Sequence, residues 1–253
     1  MAIPTYVINL DRHRDRLAHM RGELAGVAFE RVAAVDGTAM PEQTGPLTRF
    51  ERACLASHQQ LWRRLLESGE PHACVLEDDL HLSAGFGALL ADARWIPADA
   101  HSVKLDTYFQ KVMLGEPRPA LGRLQIARLY SRHQSSAAYI LTSDGAKRYL
   151  ELTAEPRLPA DYALFPKNPR TLGIVIYQMV PAVALQDHLR PAGIGGQSFA
   201  TGMGAVQKPR RRVAARLARE ARRFAGQVAD LREAAYLRQV LGAKSTIVGF
   251  DQS

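Results

Sequence analysis

The chain opens with an alternation of strand and helix patterns. A β-branched and apolar run covers residues 5–10 and ends at Asp11, a residue type that favours helix N-caps. Three apolar residues then recur at helical spacing: Leu17, Met20 and Leu24. The pattern predicts a buried strand, followed by a helix that begins at Asp11 and ends at Gly26. Residues 28–35 alternate in the manner of a second strand.

A longer helix is predicted next. Thr48 and Glu51 have the spacing of a capping box, and Gly69 is a typical residue for a helix end. Four apolar residues between them fall on one helical face: Phe50, Cys54, Leu61 and Leu65. The apolar run 73–76 that follows predicts a short buried strand.

Short apolar runs continue to the middle of the chain and beyond. Strands are predicted over 102–106, 124–130, 137–142, 173–180 and 182–186, with a helix near 143–153. Strands that alternate with helices indicate an α/β fold with a mostly parallel sheet. We place this domain at 1–190, a Gly- and Ser-rich linker at 191–207 and a basic helical extension at 208–253.

The positive charge of the protein is concentrated in that extension. The formal net charge is +8, and the window 208–223 holds eight basic residues and one acidic residue. Apolar residues recur there at steps of three and four, which predicts an amphipathic helix with a cationic stripe. Such a stripe suits contact with an anionic membrane, and packing on the protein itself or on a second copy is the alternative.

Composition limits the class of protein. Hydrophobic residues make up 47% and charged residues 23%, as in ordinary folded domains. No run reaches the roughly 20 apolar residues that span a bilayer, and the N-terminus lacks the pattern of a secretion signal. The two cysteines, Cys54 and Cys74, have no zinc-like spacing and suit a reducing compartment. We therefore expect a cytoplasmic protein.

The acidic triplet Glu77–Asp78–Asp79 is the clearest chemical signal. Three carboxylates at the end of a buried strand repel one another, so a cation or hydrogen-bond donors must offset the cost. Ligands bind at the carboxyl ends of strands in open α/β sheets. Carboxylates together with substrate phosphates suit a hard divalent cation. The triplet therefore indicates a cation site, and a solvated acidic turn that caps the next helix is the alternative.

A second signal lies where the first strand meets the first helix. Arg12 and Arg16 are four residues apart and share a helical face beside Asn9 and Leu10. Guanidinium groups and free N–H groups at a helix N-terminus bind phosphate, although a solvated helix start has the same composition. The segment lacks the glycine pattern of a P-loop or a dinucleotide-binding turn, which argues against those chemistries.

Further candidate residues rest on weaker patterns. His58 follows Ser57 and shares the apolar face of the second helix, which favours a buried core histidine. Asp106 and Asp161 each end a short apolar or Pro-containing stretch, where a carboxylate acts as a general base or as a turn residue. His188 follows the last predicted strand and is either a metal ligand or a surface residue.

Taken in order, these segments resemble glycosyltransferase family 25, the bacterial lipopolysaccharide and lipooligosaccharide galactosyltransferases related to collagen galactosyltransferases. The main matches are 7–12 with Arg16, 53–58 and 75–80. Shorter matches follow at 104–105, 138–140, 145–146, 159–161, Pro181 and Gln186. Order and approximate spacing agree from residue 3 to about 190, and the segment from Lys208 onward lies outside the resemblance. The family often has Gly-Cys where this chain has Ala53–Cys54, which leaves the helix intact.

The resemblance implies a GT-A-like nucleotide-diphospho-sugar transferase fold, a UDP-sugar donor with galactose as the leading candidate, a Mn²⁺ or Mg²⁺ ion and inversion at the anomeric carbon. It assigns the metal to Asp79 with Glu77, and we add His188 as a further metal candidate. It assigns the donor side to Asn9, Leu10, Arg12, Arg16, Ser57, His58, Glu77 and Asp78. Inversion requires one base at the acceptor hydroxyl, for which Asp161 is the first candidate and Asp106 the second.

Three rival functions are compatible with parts of the sequence. A basic tail is also found in nucleic-acid-binding proteins, but the stripe has only Phe224 as a nearby aromatic residue and the rest of the chain is nearly neutral. We therefore expect no nucleic-acid partner. The second rival is a family relative without activity that acts as a scaffold, and the third is a nucleotidyltransferase with similar carboxylates.

Overall fold

The central sheet is built outward from β1 (Thr5–Asn9), the β-branched and apolar run at the start of the chain. The computed structural model describes residues 2–190 and 231–252. In spatial order, the sheet consists of β2 (Glu30–Ala33), β1, β3 (His72–Glu77), β9 (Ala138–Thr142), β5 (Ser102–Lys104), β10 (Ile176–Val180), β8 (Leu124–Arg128) and β7 (Arg118–Leu121). The order is not sequential, so several strands that are neighbours in space are distant in sequence.

Six of the eight strands run in one direction, and β8 and β9 run against them. The predicted α/β class is confirmed. The sheet is mixed rather than uniformly parallel because β9 is inserted between β3 and β5 and is antiparallel to both. Four short strands form two separate two-stranded ribbons. β4 (Leu80–Leu82) pairs with β11 (Ala184–Gln186), and β6 (Lys111–Leu114) pairs with β12 (Lys244–Ile247).

Helices cover both faces of the sheet. They are α1 (Arg14–Glu23), α2 (Arg49–Ser68), α3 (Phe86–Leu90), α4 (Ser143–Leu152) and α5 (Ala160–Leu164). Because side chains alternate along a strand, Val7 and Leu76 enter one core cluster with α1 and α3, whereas Tyr6 and Val75 enter the other with α2 and α4. Within the described ranges, no helix combines the length and apolarity required to cross a bilayer.

The predicted start of α2 is confirmed. The Thr48 hydroxyl accepts from the Glu51 backbone N–H at 3.2 Å, and the Glu51 carboxylate accepts from the Thr48 backbone N–H at 2.8 Å. Gly69 ends the helix in the left-handed region, with φ of 72°. Phe50 departs from the predicted buried face: it lies in the first turn and is 38% exposed, with the Arg49 guanidinium over its ring.

The start of α1 differs from the prediction. The helix begins at Arg14, with His13 rather than Asp11 as the N-cap. Asp11 instead pairs with Arg31, and the Asn9 side-chain amide donates to the His13 carbonyl at 2.9 Å. These side-chain contacts occupy the loop between β1 and α1, so the helix starts after them.

The last described residues, which lie in the predicted extension 208–253, pack against the predicted domain 1–190. Residues 231–239 are helical, but β12 pairs with β6 and Val248 is buried in the core. The Thr107 hydroxyl donates to the Val248 carbonyl at 2.7 Å. The short run Lys244–Ile247 lacks the apolar alternation by which strands are predicted, so the sequence pattern did not indicate this strand. The predicted linker 191–207 and the cationic stripe 208–223 lie outside the described residues.

Candidate active site

The acidic triplet lies at the carboxyl end of β3, as the sequence predicts. Asp78 is 7% exposed and is held from two sides. The Asn9 side-chain amide donates to Asp78 Oδ2 at 2.7 Å, and Arg16 Nη1 donates to Asp78 Oδ1 at 2.9 Å. β1 is the parallel neighbour of β3, and Ile8 pairs with Glu77. Asn9, the residue after Ile8, therefore lies beside Asp78, the residue after Glu77. Asp78 thus ties β1 and α1 to the end of β3.

Asn9 has little capacity left for a ligand. Its amide nitrogen donates to Asp78 and to the His13 carbonyl, and its Oδ1 accepts from Arg31 Nε at 2.9 Å. The side chain therefore acts on the site by orienting Asp78. Its assignment to the donor side stays a prediction.

Glu77 connects the triplet to the interior of the second core cluster. Its Oε1 accepts from the Ser136 hydroxyl at 3.0 Å and lies 3.4 Å from His58 Nε2. Burial raises the pKa of Glu77, but His58, Ser136 and Lys104 outweigh that effect, so its net pKa is below the usual value. Glu77 therefore carries a negative charge inside the protein.

The neighbours of His58 determine its tautomer. Trp62 Nε1 donates to the Tyr139 hydroxyl at 2.8 Å, and that hydroxyl lies 2.9 Å from His58 Nδ1. Since the indole nitrogen only donates, the Tyr139 hydroxyl is free to donate its own proton to Nδ1. A singly protonated His58 then carries its proton on Nε2, which faces Glu77. The predicted core histidine is thus also a support for the first carboxylate of the triplet.

Asp79 is the least compensated carboxylate of the three. Gln186 Nε2 donates to its Oδ1 over 3.4 Å, and Arg16 Nη1 lies 4.0 Å from its Oδ2. Its side chain is only 13% exposed. Burial raises the pKa of Asp79 to about 7, with further contributions from Glu77 and Asp78 that Arg16 and Gln186 only partly offset. A site of this charge and burial is suited to a cation.

A buried ion pair lies at the end of β5. Lys104 Nζ donates to Asp106 Oδ1 at 2.7 Å and to the Ser135 carbonyl at 2.6 Å, and both charged side chains are fully buried. Burial raises the pKa of Asp106, and the Lys104 charge acts against that increase. Asp161, at the start of α5, is partly exposed; burial raises its pKa as well, and Lys104 again lowers it. Lys104 therefore influences both base candidates.

Comparisons with known proteins identify the family of this chain. The sequence profile of "Glycosyltransferase family 25 (LPS biosynthesis protein)" matches residues 2–164. Lacto-N-neotetraose biosynthesis glycosyltransferase LgtB of Neisseria gonorrhoeae is 31% identical over 205 residues, which cover 72% of this chain and 74% of that protein. The chain belongs to glycosyltransferase family 25.

Two further relatives are similar to this family 25 chain. Lacto-N-neotetraose biosynthesis glycosyltransferase LgtE of Neisseria meningitidis serogroup B is 31% identical over 152 residues, 56% of this chain and 54% of that protein. Lipooligosaccharide biosynthesis protein lic2B of Haemophilus influenzae is 26% identical over 205 residues, 72% of this chain and 75% of that protein.

The remaining candidate residues of this family 25 glycosyltransferase have varied surroundings. Arg12 pairs with Asp36 at the surface, and the Leu10 carbonyl accepts from the His13 N–H. The Ser57 hydroxyl donates to the Ala53 carbonyl at 2.8 Å and accepts from the Val35 N–H at 2.9 Å, which fixes the loop after β2. The assignment of Leu10, Arg12 and Ser57 to the donor side stays a prediction.

The backbone next to His188 contacts the triplet, but His188 itself is exposed. The N–H of Asp187 donates to the Asp79 carbonyl at 2.9 Å, and the His188 ring lies 6.1 Å from the ring of Tyr108. Its assignment as a metal ligand stays a prediction.

Ser135 is a site residue that the sequence did not indicate. Its hydroxyl donates to Gln186 Oε1 at 2.9 Å, its carbonyl accepts from Lys104, and its backbone N–H donates to the Asp161 carboxylate. It has a φ of 77°, which is unusual for a residue with a Cβ. No residue type marks such a position in advance. Lys104, by contrast, lies within residues 2–164, which match the family profile.

Proposed function

We propose that this protein transfers a hexose, with galactose as the leading candidate, from a UDP-sugar to a glycan of lipopolysaccharide or lipooligosaccharide. The proposed reaction inverts the anomeric carbon and depends on Mn²⁺ or Mg²⁺. The observation that carries the proposal is the largely shielded, weakly compensated Asp79 beside Glu77 and the Arg16–Asp78 pair. Family membership supports sugar transfer, and the names of the relatives support a lipooligosaccharide acceptor.

The residues around Asp79 fit a divalent cation. Oxygen ligands are available from Asp79 and Glu77, and Asp78 keeps Arg16 in place beside them. A bound cation supplies positive charge to the departing diphosphate. Arg16 adds a guanidinium that is held beside the same carboxylates by its hydrogen bond to Asp78. Asn9 orients Asp78 through a second hydrogen bond.

Asp161 is the better placed of the two base candidates. A general base must come within hydrogen-bond reach of the acceptor hydroxyl. Asp106 is fully buried and its Oδ1 is held by Lys104, whereas Asp161 is partly exposed. The backbone N–H groups of Tyr162 and Ser135 orient the Asp161 carboxylate. We therefore propose Asp161 as the base and give Asp106 a supporting position next to Lys104.

Replacing Asp161 with asparagine is expected to lower kcat by about 100- to 10,000-fold, because the amide cannot accept the proton. The base acts when deprotonated, and burial raises the pKa of Asp161. In the parent enzyme kcat/KM should therefore decline on the acid side at a pH above that of an ordinary aspartate. Initial rates across pH measure both effects. The exposed Asp144→Asn variant serves as the control and should keep the parent profile. An unchanged kcat in Asp161→Asn would transfer the role to another group.

The donor class is tested by binding. A panel of UDP-sugars, each with Mn²⁺, with Mg²⁺ or with EDTA, is expected to raise Tm only when donor and cation are both present. Turnover with the stabilising donor should release UDP. Release of pyrophosphate would indicate nucleotidyl transfer, and binding without turnover across acceptors would indicate a scaffold. Absence of cation-dependent stabilisation by every UDP-sugar would refute the proposal.

The contact of the cationic stripe with an anionic membrane is a proposal as well. It rests on the composition of 208–223 and on the lipid-linked acceptor that the proposed function implies.

A further inference from the structure

Two histidines and a glutamate converge on one point between α1 and β4. His19 and Glu23 lie one helical turn apart on α1, and His81 is the central residue of β4. One ligand atom from each of the three lies within 4.8 Å of the other two. We call this group the His19 cluster. It uses none of the three carboxylates of the acidic triplet.

The spacing of the His19 cluster approaches that of a metal site. Glu23 Oε1 lies 3.8 Å from His19 Nε2 and 3.7 Å from His81 Nδ1. Metal–ligand bonds of about 2.0–2.1 Å in a tetrahedral site place ligand atoms about 3.3 Å apart. The two Glu23–histidine distances exceed that spacing by about 0.5 Å, and the third pair of ligand atoms exceeds it by at most about 1.5 Å.

The atoms of His81 and Glu23 that face away from the centre of the His19 cluster already have hydrogen-bond partners. His81 Nε2 lies 2.9 Å from Asp187 Oδ1, and since a carboxylate only accepts, Nε2 carries the proton and Nδ1 faces Glu23. Glu23 Oε2 accepts from the Leu82 backbone N–H at 2.6 Å, so Oε1 remains toward the histidines. A carboxylate behind a ligating imidazole is the usual support of a metal-bound histidine.

His19 requires one exchange of partners. Its Nε2 lies 2.8 Å from the Leu80 carbonyl, to which it donates. A metal bound at this nitrogen takes the position of that proton, and a coordinate bond replaces the hydrogen bond. The three side chains are 11%, 23% and 7% exposed in the order His19, Glu23 and His81, so Glu23 is the most exposed member of the cluster.

We propose that the His19 cluster binds a zinc ion, with water in the fourth position, and that the ion fixes α1 against β4. Imidazole nitrogens favour zinc over Mg²⁺ and Mn²⁺, which prefer oxygen ligands. An ion at this position has a structural role. α1 also carries Arg16, and β4 directly follows Asp79, so the ion holds the helix of the guanidinium against the strand that comes directly after the acidic triplet.

The test uses zinc alone, with no nucleotide. The full chain, freed of metal by a chelator and then exchanged into zinc-containing buffer, is expected to retain one zinc ion per chain by elemental analysis. At a free zinc concentration about 100-fold above Kd, Tm should rise by roughly 5–10 °C. Co²⁺ in place of zinc should give the visible absorption of a four-coordinate site.

The variants separate this site from the donor site. His19→Gln and Glu23→Gln should each abolish zinc retention and the rise in Tm, while circular dichroism shows that the chain is folded. His72→Gln, outside the cluster, should bind as the parent does. Asp79→Asn should also retain zinc, so the result is independent of the proposed sugar transfer. Failure of the parent to bind zinc, or zinc retention in both His19→Gln and Glu23→Gln, would overturn the proposal.

Discussion

Replacing Asp79 with asparagine is expected to reduce sugar transfer by about 1,000-fold or more, because it removes the carboxylate best placed to hold the cation. The same change should leave the free energy of unfolding unchanged or increase it. Asp79 is 13% exposed and stands beside two other carboxylates, so its ionised form is costly in the folded protein. An asparagine side chain removes that charge and still accepts a hydrogen bond from Gln186. Function and stability are thus expected to oppose each other at this residue.

The effect on stability should depend on pH in a defined direction. The pKa of Asp79 is about 7 in the folded protein, above its ordinary value of 3.8. A raised acid pKa means that protonation favours the folded state, so this favourable contribution is present at low pH and is lost as pH rises toward 7. The gain in stability of Asp79→Asn over the parent should therefore be near zero at pH 4 and largest above pH 7, without added cation.

Urea unfolding at several pH values, together with initial transfer rates, measures both parts of this prediction. Asp144→Asn is the matched control, because the Asp144 side chain is 83% exposed and lies on α4. It should follow the parent in rate and in stability. Metal-dependent turnover at the parental rate in Asp79→Asn would remove this residue from the cation site.

Local sequence signals account for the elements that form this site. The capping box at Thr48, the glycine at 69 and the apolar run before Glu77 each depend on residues within a few positions, and all three are confirmed. The position of the acidic triplet follows from them, because a buried strand that ends in charged residues places those residues at the sheet edge. The first helix was placed less well, since side chains from β2 and β1 occupy the loop that the local pattern assigned to it.

The partners of the triplet are determined by contacts between distant parts of the chain. β9 enters the sheet beside β3 and pairs Tyr139 with Val75, which positions the hydroxyl that orients His58. Ser136, in the loop before β9, and Gln186, at the end of β11, also reach Glu77. Patterns of apolar residues indicate that a strand exists but not which strand it pairs with or in which direction. The sequence alone therefore could not identify these partners.

Replacing Lys104 with methionine is expected to lower the free energy of unfolding by about 3–5 kcal/mol, since it leaves a buried charge without its partner. Lys104 and Asp106 are both fully buried, and Lys104 Nζ also lies 4.4 Å from the centre of the Phe165 ring. Among the described residues, Asp106 Oδ2 has no hydrogen-bond partner, so the carboxylate depends on Lys104. Sugar transfer should decline as well, because the Lys104 charge lowers the pKa values of Glu77 and Asp161.

A double-mutant cycle separates the pair from the packing of its side chains. Lys104→Met with Asp106→Leu should recover much of the stability that Lys104→Met loses, because apolar residues of similar volume often replace a buried ion pair at little cost. Lys147→Met provides the surface comparison. Lys147 and Asp144 also pair, at 3.1 Å, but both are exposed, and the change should be within about 0.5–1 kcal/mol. Urea unfolding followed by tryptophan fluorescence measures every variant of the cycle and the surface comparison. If Lys104→Met cost no more than Lys147→Met, the buried Lys104 would not be the charge that stabilises Asp106, and its proposed influence on the neighbouring base would lose its structural basis.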